Sequence, residues 1–211
     1  MTRADSDDEY LRIVGDACGV SLGEVQIEKL LAFSEFLGTE GVVSGAIGPN
    51  ERSILLDRHI ADSLVFLRGF EIESGSVLDV GSGVGLPGIP IAIARPGLNV
   101  ELMDRSQRRS DLASRAVRIL RLPNVAVTRS AVDTLDRTWD AITFRASLRI
   151  PAAAAVVQGF INPGGMGVFG VSRSASRPSV PAPPEGMRFE MTEELSEVLD
   201  SSAWLLRMSI L

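Results

Sequence analysis

The glycine-rich stretch VLDVGSGVGLPGIP, residues 77–90, has the residue types and spacing of a nucleotide-binding turn. A hydrophobic strand leads into Gly83, Gly85 and Gly88, which satisfy the pattern G-x-G-x-x-G. Glycines in such a turn let the backbone approach a ligand and let the next helix pack closely on the strand. Asp104 follows about 20 residues later, where a carboxylate can accept hydrogen bonds from ribose hydroxyls. The pattern predicts a site for a cofactor that contains a ribose, and any such cofactor would use this geometry.

Three further features favour S-adenosylmethionine over a nicotinamide dinucleotide. Asp79 lies in the strand two residues before Gly81, and a carboxylate there suits an ammonium and a sulfonium better than a pyrophosphate. Asp104 lies at the end of the next predicted strand. The segment SAVD, residues 130–133, follows the third strand, and NPGG precedes a late one. A tight strand–helix turn without a ligand is the alternative interpretation, which four motifs in register disfavour.

The elements that must position these residues alternate between short strands and helices from residue 76 onward. This alternation predicts a parallel sheet with right-handed crossovers, and the final segment AWLLRMSIL is expected to pair antiparallel. The predicted fold class is therefore α/β with a seven-stranded, mostly parallel sheet, and the successive motifs resemble those of the class I methyltransferase (Rossmann-like) fold. Residues 1–70 are predicted to form an N-terminal helical extension, and residues 71–211 the methyltransferase domain.

The helical extension is predicted in three parts. Ser21 and Glu24 form a capping-box pattern before an apolar helix. Residues 39–50 are glycine-rich and are expected to form a loop, after which residues 51–69 show helical periodicity. Residues 177–186 are rich in proline and are expected to form a loop rather than a central strand.

The composition excludes several classes of site. The 211 residues contain one cysteine, Cys18, and one histidine, His59, which excludes a disulfide within the chain and a metal site built from several such residues. No apolar run is long enough to span a membrane, and the acidic first residues resemble no secretory signal, so we expect a cytoplasmic monomer. The net charge of −6 argues against a broadly basic surface, although residues 105–121 contain six arginines.

A closer resemblance rests on three segments. GSGVGLPGIPIAIARP, together with RHIADS at residues 58–63 and D-x-x-x-R-R from Asp104 to Arg109, resembles the RsmG family, also called GidB. The resemblance extends from about residue 54 to residue 165. It implies S-adenosylmethionine as the methyl donor and a structured RNA as the partner. The implied reaction is methylation of guanine N7 in the 16S ribosomal RNA of the small subunit.

The resemblance also implies roles for individual residues. Gly81 and Leu86 would contact the cofactor from the turn, Val132 and Asp133 would lie beside the adenine, and Arg145 would lie near the methionine end. The full predicted cofactor set is Asp79, Gly81, Gly83, Leu86, Asp104, Val132, Asp133 and Arg145. Arg145 is the predicted catalytic residue, the predicted substrate contacts are His59, Arg108 and Arg109, and no metal site is expected.

The sequence departs from the family pattern at several positions. GTEGVVSGAIG replaces the family's W-N-x-x-x-N-L-T segment, the family arginine beside the adenine pair falls at Ala131, and a family lysine falls near Val171. Two alternatives therefore stay open. One is a methyltransferase of the same origin that acts on a small molecule or another RNA. The other is a non-catalytic paralogue that binds S-adenosylmethionine or RNA.

The predicted chemistry does not require a general base, because guanine N7 carries a lone pair and no proton. Positioning the acceptor in line with the methyl group and sulfur can supply much of the rate. His59 and Asp62 are spaced i, i+3 on a predicted helix, close enough to hydrogen-bond. They could position a substrate, or His59 could be a packing residue of the helix. Arg108 and Arg109 could bind phosphates or belong to a solvated helix face.

Overall fold

In the computed structural model, which describes residues 3–211 and the side chains from residue 6 onward, seven strands form one sheet of order β3-β2-β1-β4-β5-β7-β6. The strands are β1 (Gly75–Val80), β2 (Leu98–Asp104), β3 (Val125–Arg129), β4 (Trp139–Arg145), β5 (Ile161–Arg173), β6 (Met187–Glu194) and β7 (Ala203–Ile210). β1 to β5 pair in parallel, and β7 pairs antiparallel with both β5 and β6. The predicted seven-stranded, mostly parallel sheet is confirmed, including its antiparallel last strand.

Helices cover both faces of the sheet. They are α1 (Arg3–Ala17), α2 (Glu24–Phe36), α3 (Asp62–Val65), α4 (Gly88–Ala94), α5 (Gln107–Ile119) and α6 (Ile150–Phe160). On one face of the sheet, a buried cluster contains residues of the five helices α1 through α5 and sheet residues such as Val77 and Ala141. A second cluster joins α6 to Ile142 and Phe144 on the other face. Because side chains alternate along a strand, residues 141, 143 and 145 of β4 face the same side as the N-terminal helices.

The start of α2 differs from the predicted capping box. The helix begins at Glu24 with Gly23 as its N-cap, and the Gln26 side chain accepts a hydrogen bond from the Gly23 amide at 2.7 Å. Ser21 lies two residues too early to cap this helix. The prediction was wrong because the sequence offers two overlapping cap patterns. Gly23 takes the extended conformation of an N-cap, and the residue at the third helical position completes the contact.

The segment after α2 is more helical than predicted. A π-helical turn at Leu37–Gly41 continues α2, so the predicted loop at residues 39–50 is wrong in its first residues. Its end is also helical, since a 3₁₀ helix begins at Pro49 and runs to Ile54. The helical prediction for residues 51–69 is confirmed, although the segment is a series of short turns: π-helical at Leu56–Ala61, α-helical in α3 and 3₁₀ at Phe66–Gly69.

Two further features of the sheet domain bear on the predictions. The proline-rich residues 177–186 lie outside the strands, as predicted. The NPGG segment, expected to precede a late strand, belongs instead to the long strand β5, whose register with β4 shifts between Trp139 and Ala141. Among the described residues, no helix is both long enough and apolar enough to span a membrane.

Candidate functional site

A cavity of about 630 Å³ lies where the carboxyl ends of β1, β2 and β4 meet. Strand order reverses at β1, since β2 lies on one side of it and β4 on the other. Open α/β sheets bind ligands at such a switch point. The lining residues are Val80, Gly81, Met103, Asp104, Arg105, Arg109, Ser130, Ala131, Val132, Asp133, Ala146, Ser147, Leu148 and Phe160.

The glycine turn brings main chain to the wall of this cavity. The backbone φ angle is +68° at Gly81, +58° at Gly83 and +100° at Gly85. Residues other than glycine rarely adopt positive φ values. A Cβ added at Gly81 would lie 2.5 Å from the Cβ of Ser147, so a larger residue cannot be placed there without movement. A Cβ at Gly83 would meet no atom within 4 Å. A side chain at position 81 would therefore clash with Ser147, whereas position 83 has room for one.

Asp104 is a buried carboxylate at the cavity wall. Its Oδ2 accepts a hydrogen bond from the Gly83 amide at 3.0 Å, and its Oδ1 accepts one from the Ser106 amide at 2.8 Å. The Arg109 guanidinium lies 3.9 Å from Oδ2. A carboxylate offers about four lone-pair sites, so both oxygens keep capacity for a ligand's hydroxyl groups.

Asp79 lies beneath the glycine turn rather than in the cavity wall. Its carboxylate is fully buried and accepts hydrogen bonds from the Gly88 amide at 2.8 Å and from the Thr143 hydroxyl at 3.1 Å. Burial raises the pKa of Asp79 to about 7, although both hydrogen bonds oppose the rise. These contacts fix the start of α4 on β1 and β4. The interaction predicted for Asp79 with a cationic cofactor stays a prediction.

The predicted cofactor and substrate residues fall into two groups. Gly81, Asp104, Val132 and Asp133 meet at the cavity, and Arg109 of the predicted substrate set lies beside them. The members that do not line it are Asp79, Gly83, Leu86, Arg145, His59 and Arg108.

Arg145 lies in a separate cluster with His59 and Glu51. Its Nη2 donates hydrogen bonds to the Arg58 carbonyl at 2.8 Å and to Nδ1 of His59 at 3.2 Å, and Nε2 of His59 lies 2.6 Å from Oε2 of Glu51. Burial and the charge of Arg145 lower the pKa of His59, while Glu51 and Asp62 oppose this shift. Burial also lowers the pKa of Arg145. The predicted hydrogen bond between His59 and Asp62 is wrong, because each finds a different partner in the fold.

Asp62 belongs to an ionic cluster centred on Arg173. Nη1 of Arg173 donates to Oδ1 of Asp62 at 2.6 Å, and the same guanidinium contacts Asp57 at 3.2 Å and Asp200 at hydrogen-bond distance. The Tyr10 hydroxyl donates to Asp57 at 2.8 Å. This cluster joins α1 and the π-helical turn at Leu56–Ala61 to the end of β5.

The sequence analysis missed Glu51 and Arg173. A signal for Arg173 was present, since a family lysine was expected near Val171 and a cation lies two residues later on the same strand. Glu51 carried no signal, because it lies eight residues before His59 and only the series of helical turns brings the two together.

The sheet order and the cavity define the class of protein, a class I (Rossmann-like) methyltransferase fold. Ribosomal protein L11 methylase from Lactobacillus delbrueckii subsp. bulgaricus superposes with a TM-score of 0.52 at 13% identity, over 72% of this chain and 79% of that one. A putative methyltransferase, yhhF, from Escherichia coli gives 0.51 at 15% identity, over 66% and 79%. These likenesses concern the fold alone.

The family is identified by sequence. The family model described as GidB, rRNA small subunit methyltransferase G, matches residues 26–172, and the chain belongs to this family. Two relatives bear the name ribosomal RNA small subunit methyltransferase G. The one from Corynebacterium glutamicum is 45% identical over 107 residues, which are 51% of this chain and 48% of the relative. The one from Mycobacterium sp. (strain KMS) is 38% identical over 138 residues, 63% and 60% respectively. The match thus spans about half the length of these relatives.

Proposed function

We propose that this chain transfers a methyl group from S-adenosylmethionine to guanine N7 in 16S ribosomal RNA. The observation that carries the proposal is a nucleotide-sized cavity at the switch point of the sheet, in a member of this family. The partner is the RNA of the small ribosomal subunit, and the protein acts as a cytoplasmic monomer.

The described residues fit the proposed cofactor. The cavity volume lies in the range of small-molecule sites, and its walls combine apolar side chains with polar and charged ones. Asp104 would accept hydrogen bonds from the ribose hydroxyls, since each of its oxygens already holds one amide and has room for a further donor. Val132 and Asp133, on a 3₁₀ turn beside the cavity, would contact the adenine.

S-adenosylmethionine supplies an electrophilic methyl group, so the work left to the chain is positioning. Guanine N7 has no proton to lose, which is consistent with a site whose one histidine is held between an arginine and a glutamate. The Arg145 guanidinium would hold an anionic group of the cofactor or the RNA. Arg109 at the cavity wall and the exposed Arg108 would contact RNA phosphates, because a guanidinium fork fits a phosphate in bidentate fashion.

Filling the cavity tests the cofactor site. Ala131 lines the cavity, whereas Ala155 is exposed in the middle of α6 and lines no part of it. We expect Ala131→Phe to weaken S-adenosylmethionine binding by about tenfold or more, and Ala155→Phe to leave it within about twofold, measured by calorimetry. Equal affinity in both variants would contradict this location of the site, and no binding by the parent chain would contradict the proposed function.

A further inference from the structure

Arg145 differs from a structural arginine in the partners that hold it. Its neighbours are the Arg58 carbonyl, Nδ1 of His59 and, at 3.5 Å, the Ser63 hydroxyl, all of them neutral acceptors. Within the described part of the chain, none of the ion pairs includes Arg145. A half-buried guanidinium held only by neutral acceptors keeps its charge available for an external anion.

The contact with Arg145 fixes the tautomer of His59. A guanidinium has donors and no acceptor, so Nδ1 of His59 must accept its hydrogen bond and carries no proton. Nε2 then carries the ring proton and donates it to Oε2 of Glu51 at 2.6 Å. His59 is therefore a neutral bridge, with a donor facing the carboxylate and an acceptor facing the guanidinium.

The bridge also separates two opposite charges. The His59 ring hydrogen-bonds to the Glu51 carboxylate and lies between Glu51 and Arg145. Without the imidazole, the negative charge of Glu51 could neutralise Arg145 directly. The π-helical turn at Leu56–Ala61 presents both the Arg58 carbonyl and the His59 ring to the same guanidinium. The three acceptors thus orient the Arg145 guanidinium, and His59 keeps the Glu51 carboxylate away from it.

We propose that Glu51 and His59 are positioning residues that orient Arg145 and preserve its charge for the anion it binds during methyl transfer. This inference rests on the proposed function, because it assigns the two residues a part in that reaction. It deepens the predicted role of His59, which acts through Arg145 rather than on the substrate, and it adds Glu51 to the site.

The solitary histidine allows a direct test by NMR. His59 is the only histidine in the sequence, so the imidazole nitrogen signals of a tag-free, ¹⁵N-labelled protein belong to it alone. We expect the Nε2–H tautomer at neutral pH. The pKa of His59 should rise in Arg145→Gln, which removes a neighbouring cation, and fall in Glu51→Gln, which removes an anion. An Nδ1–H tautomer, or a pKa that neither substitution moves, would overturn the bridge.

The functional part is tested by two substitutions of the same residue. His59→Gln keeps a donor and an acceptor on one planar group, whereas His59→Leu keeps neither. We expect His59→Leu and Glu51→Gln to lower kcat for methyl transfer into small ribosomal subunits, or affinity for S-adenosylmethionine, by about tenfold. His59→Gln should stay within about threefold of the parent chain, and the melting temperatures of all three variants should stay within a few degrees.

Glu35→Gln, an exposed carboxylate in the same helical extension, is the matched control and should leave both values unchanged. Parental activity in His59→Leu, or equal loss in His59→Gln and His59→Leu, would overturn the positioning role. A parent chain that binds no cofactor and transfers no methyl group would overturn the proposed function and the positioning role with it. The NMR experiment tests the hydrogen bonds of His59 whether or not the chain transfers methyl groups. Failure of the positioning role can therefore be distinguished from failure of the proposed function.

Discussion

Arg145 and Arg173 end neighbouring strands, and of the two only Arg173 forms ion pairs with the carboxylates that the structure describes around it. Burial lowers the pKa of Arg145, with only partial opposition from Asp62, Asp79 and Glu51. Burial also acts on Arg173, but hydrogen bonds and charges of its three aspartates outweigh it and raise its pKa above the usual value. At the scale of single residues, the surroundings of each side chain therefore indicate its role. Arg173 is paired with carboxylates of the fold, whereas the ligand-binding role of Arg145 stays a prediction.

Asp79 provides a stability prediction at this scale. Its pKa is about 7 in the folded chain and near 3.9 in an unfolded one, so the folded state binds its proton more tightly. The free energy of unfolding should therefore fall as pH rises from about 4 to about 7 and level off above. Asp79→Asn, which can keep both hydrogen bonds, should remove this dependence and gain up to about 4 kcal/mol relative to the parent chain at pH 8.

Urea unfolding from about pH 2 to about pH 8 is the measurement. Asp140→Asn is the control of opposite sign, because hydrogen bonds from Ser76 and Asn162 lower the pKa of Asp140. The contribution of Asp140 to the free energy of unfolding should be present above about pH 4 and lost as pH falls through its lowered pKa. Parallel pH profiles for the parent chain and Asp79→Asn would show that Asp79 does not titrate as stated.

The glycine turn is the element on which the proposed cofactor site depends. Its strand, the turn and the first turn of α4 were all predictable, because a hydrophobic run followed by closely spaced glycines has few structural solutions. The direction of Asp79 was not predictable. Alternation places it on the face toward α4, and only the packed helix shows that the Gly88 amide occupies its carboxylate.

Gly83→Val tests the turn. Gly83 has open surroundings and does not line the cavity, but its amide donates a hydrogen bond to Asp104 at the cavity wall. We expect a valine there to displace the Asp104 carboxylate and to lower S-adenosylmethionine affinity by about tenfold or more. The φ of +58° at Gly83 also imposes a strain of about 1–2 kcal/mol on valine. Gly164→Val is the matched control, since Gly164 has φ of +80° and equally open surroundings but lies in β5 away from the cavity. Calorimetry should show lost binding in the first variant only; similar affinities would refute the placement.

The helical extension shows why other parts of the fold escaped prediction. Helical periodicity in residues 51–69 was visible in the sequence, but the division into π, α and 3₁₀ turns depends on packing against α1, α2 and α4. The partners of His59 and Asp62 changed for the same reason, because Glu51 and Arg173 reach them through the tertiary fold. Local spacing identified the two residues, but the partner of His59 depends on the series of helical turns and the partner of Asp62 on a contact 111 residues away in sequence.

At the scale of the whole molecule, the Arg173 cluster joins parts that are distant in sequence. Asp57 and Asp62 come from the helical extension, Arg173 from β5, and Asp200 from the segment before β7. The Arg173 side chain is only 7% exposed, and its loss would leave Asp62 without an ion-pair partner among the described residues. Asp57 and Asp200 would keep the Arg58 guanidinium at 3.6 Å. The boundary at residue 70 stays a prediction, and this cluster connects the two sides of it.

Arg173→Met should therefore destabilise the protein. We expect a loss of roughly 2–3 kcal/mol in the free energy of unfolding, less than for a fully buried pair because Asp200 is 61% exposed. Arg177→Met, in the exposed proline-rich loop, is the control and should change stability by less than about 0.5 kcal/mol. Denaturant unfolding measures both, and equal stability of the two variants would contradict the structural role of the cluster.

The central claim is methyl transfer to RNA, and one measurement tests it most directly. Purified protein is incubated with labelled S-adenosylmethionine and small ribosomal subunits that lack N7 methylation, and the label is mapped in 16S RNA by mass spectrometry. The account predicts label on a guanine N7. No label, in a preparation shown to bind S-adenosylmethionine, or label at a different atom, would contradict it and favour a changed substrate or a non-catalytic paralogue.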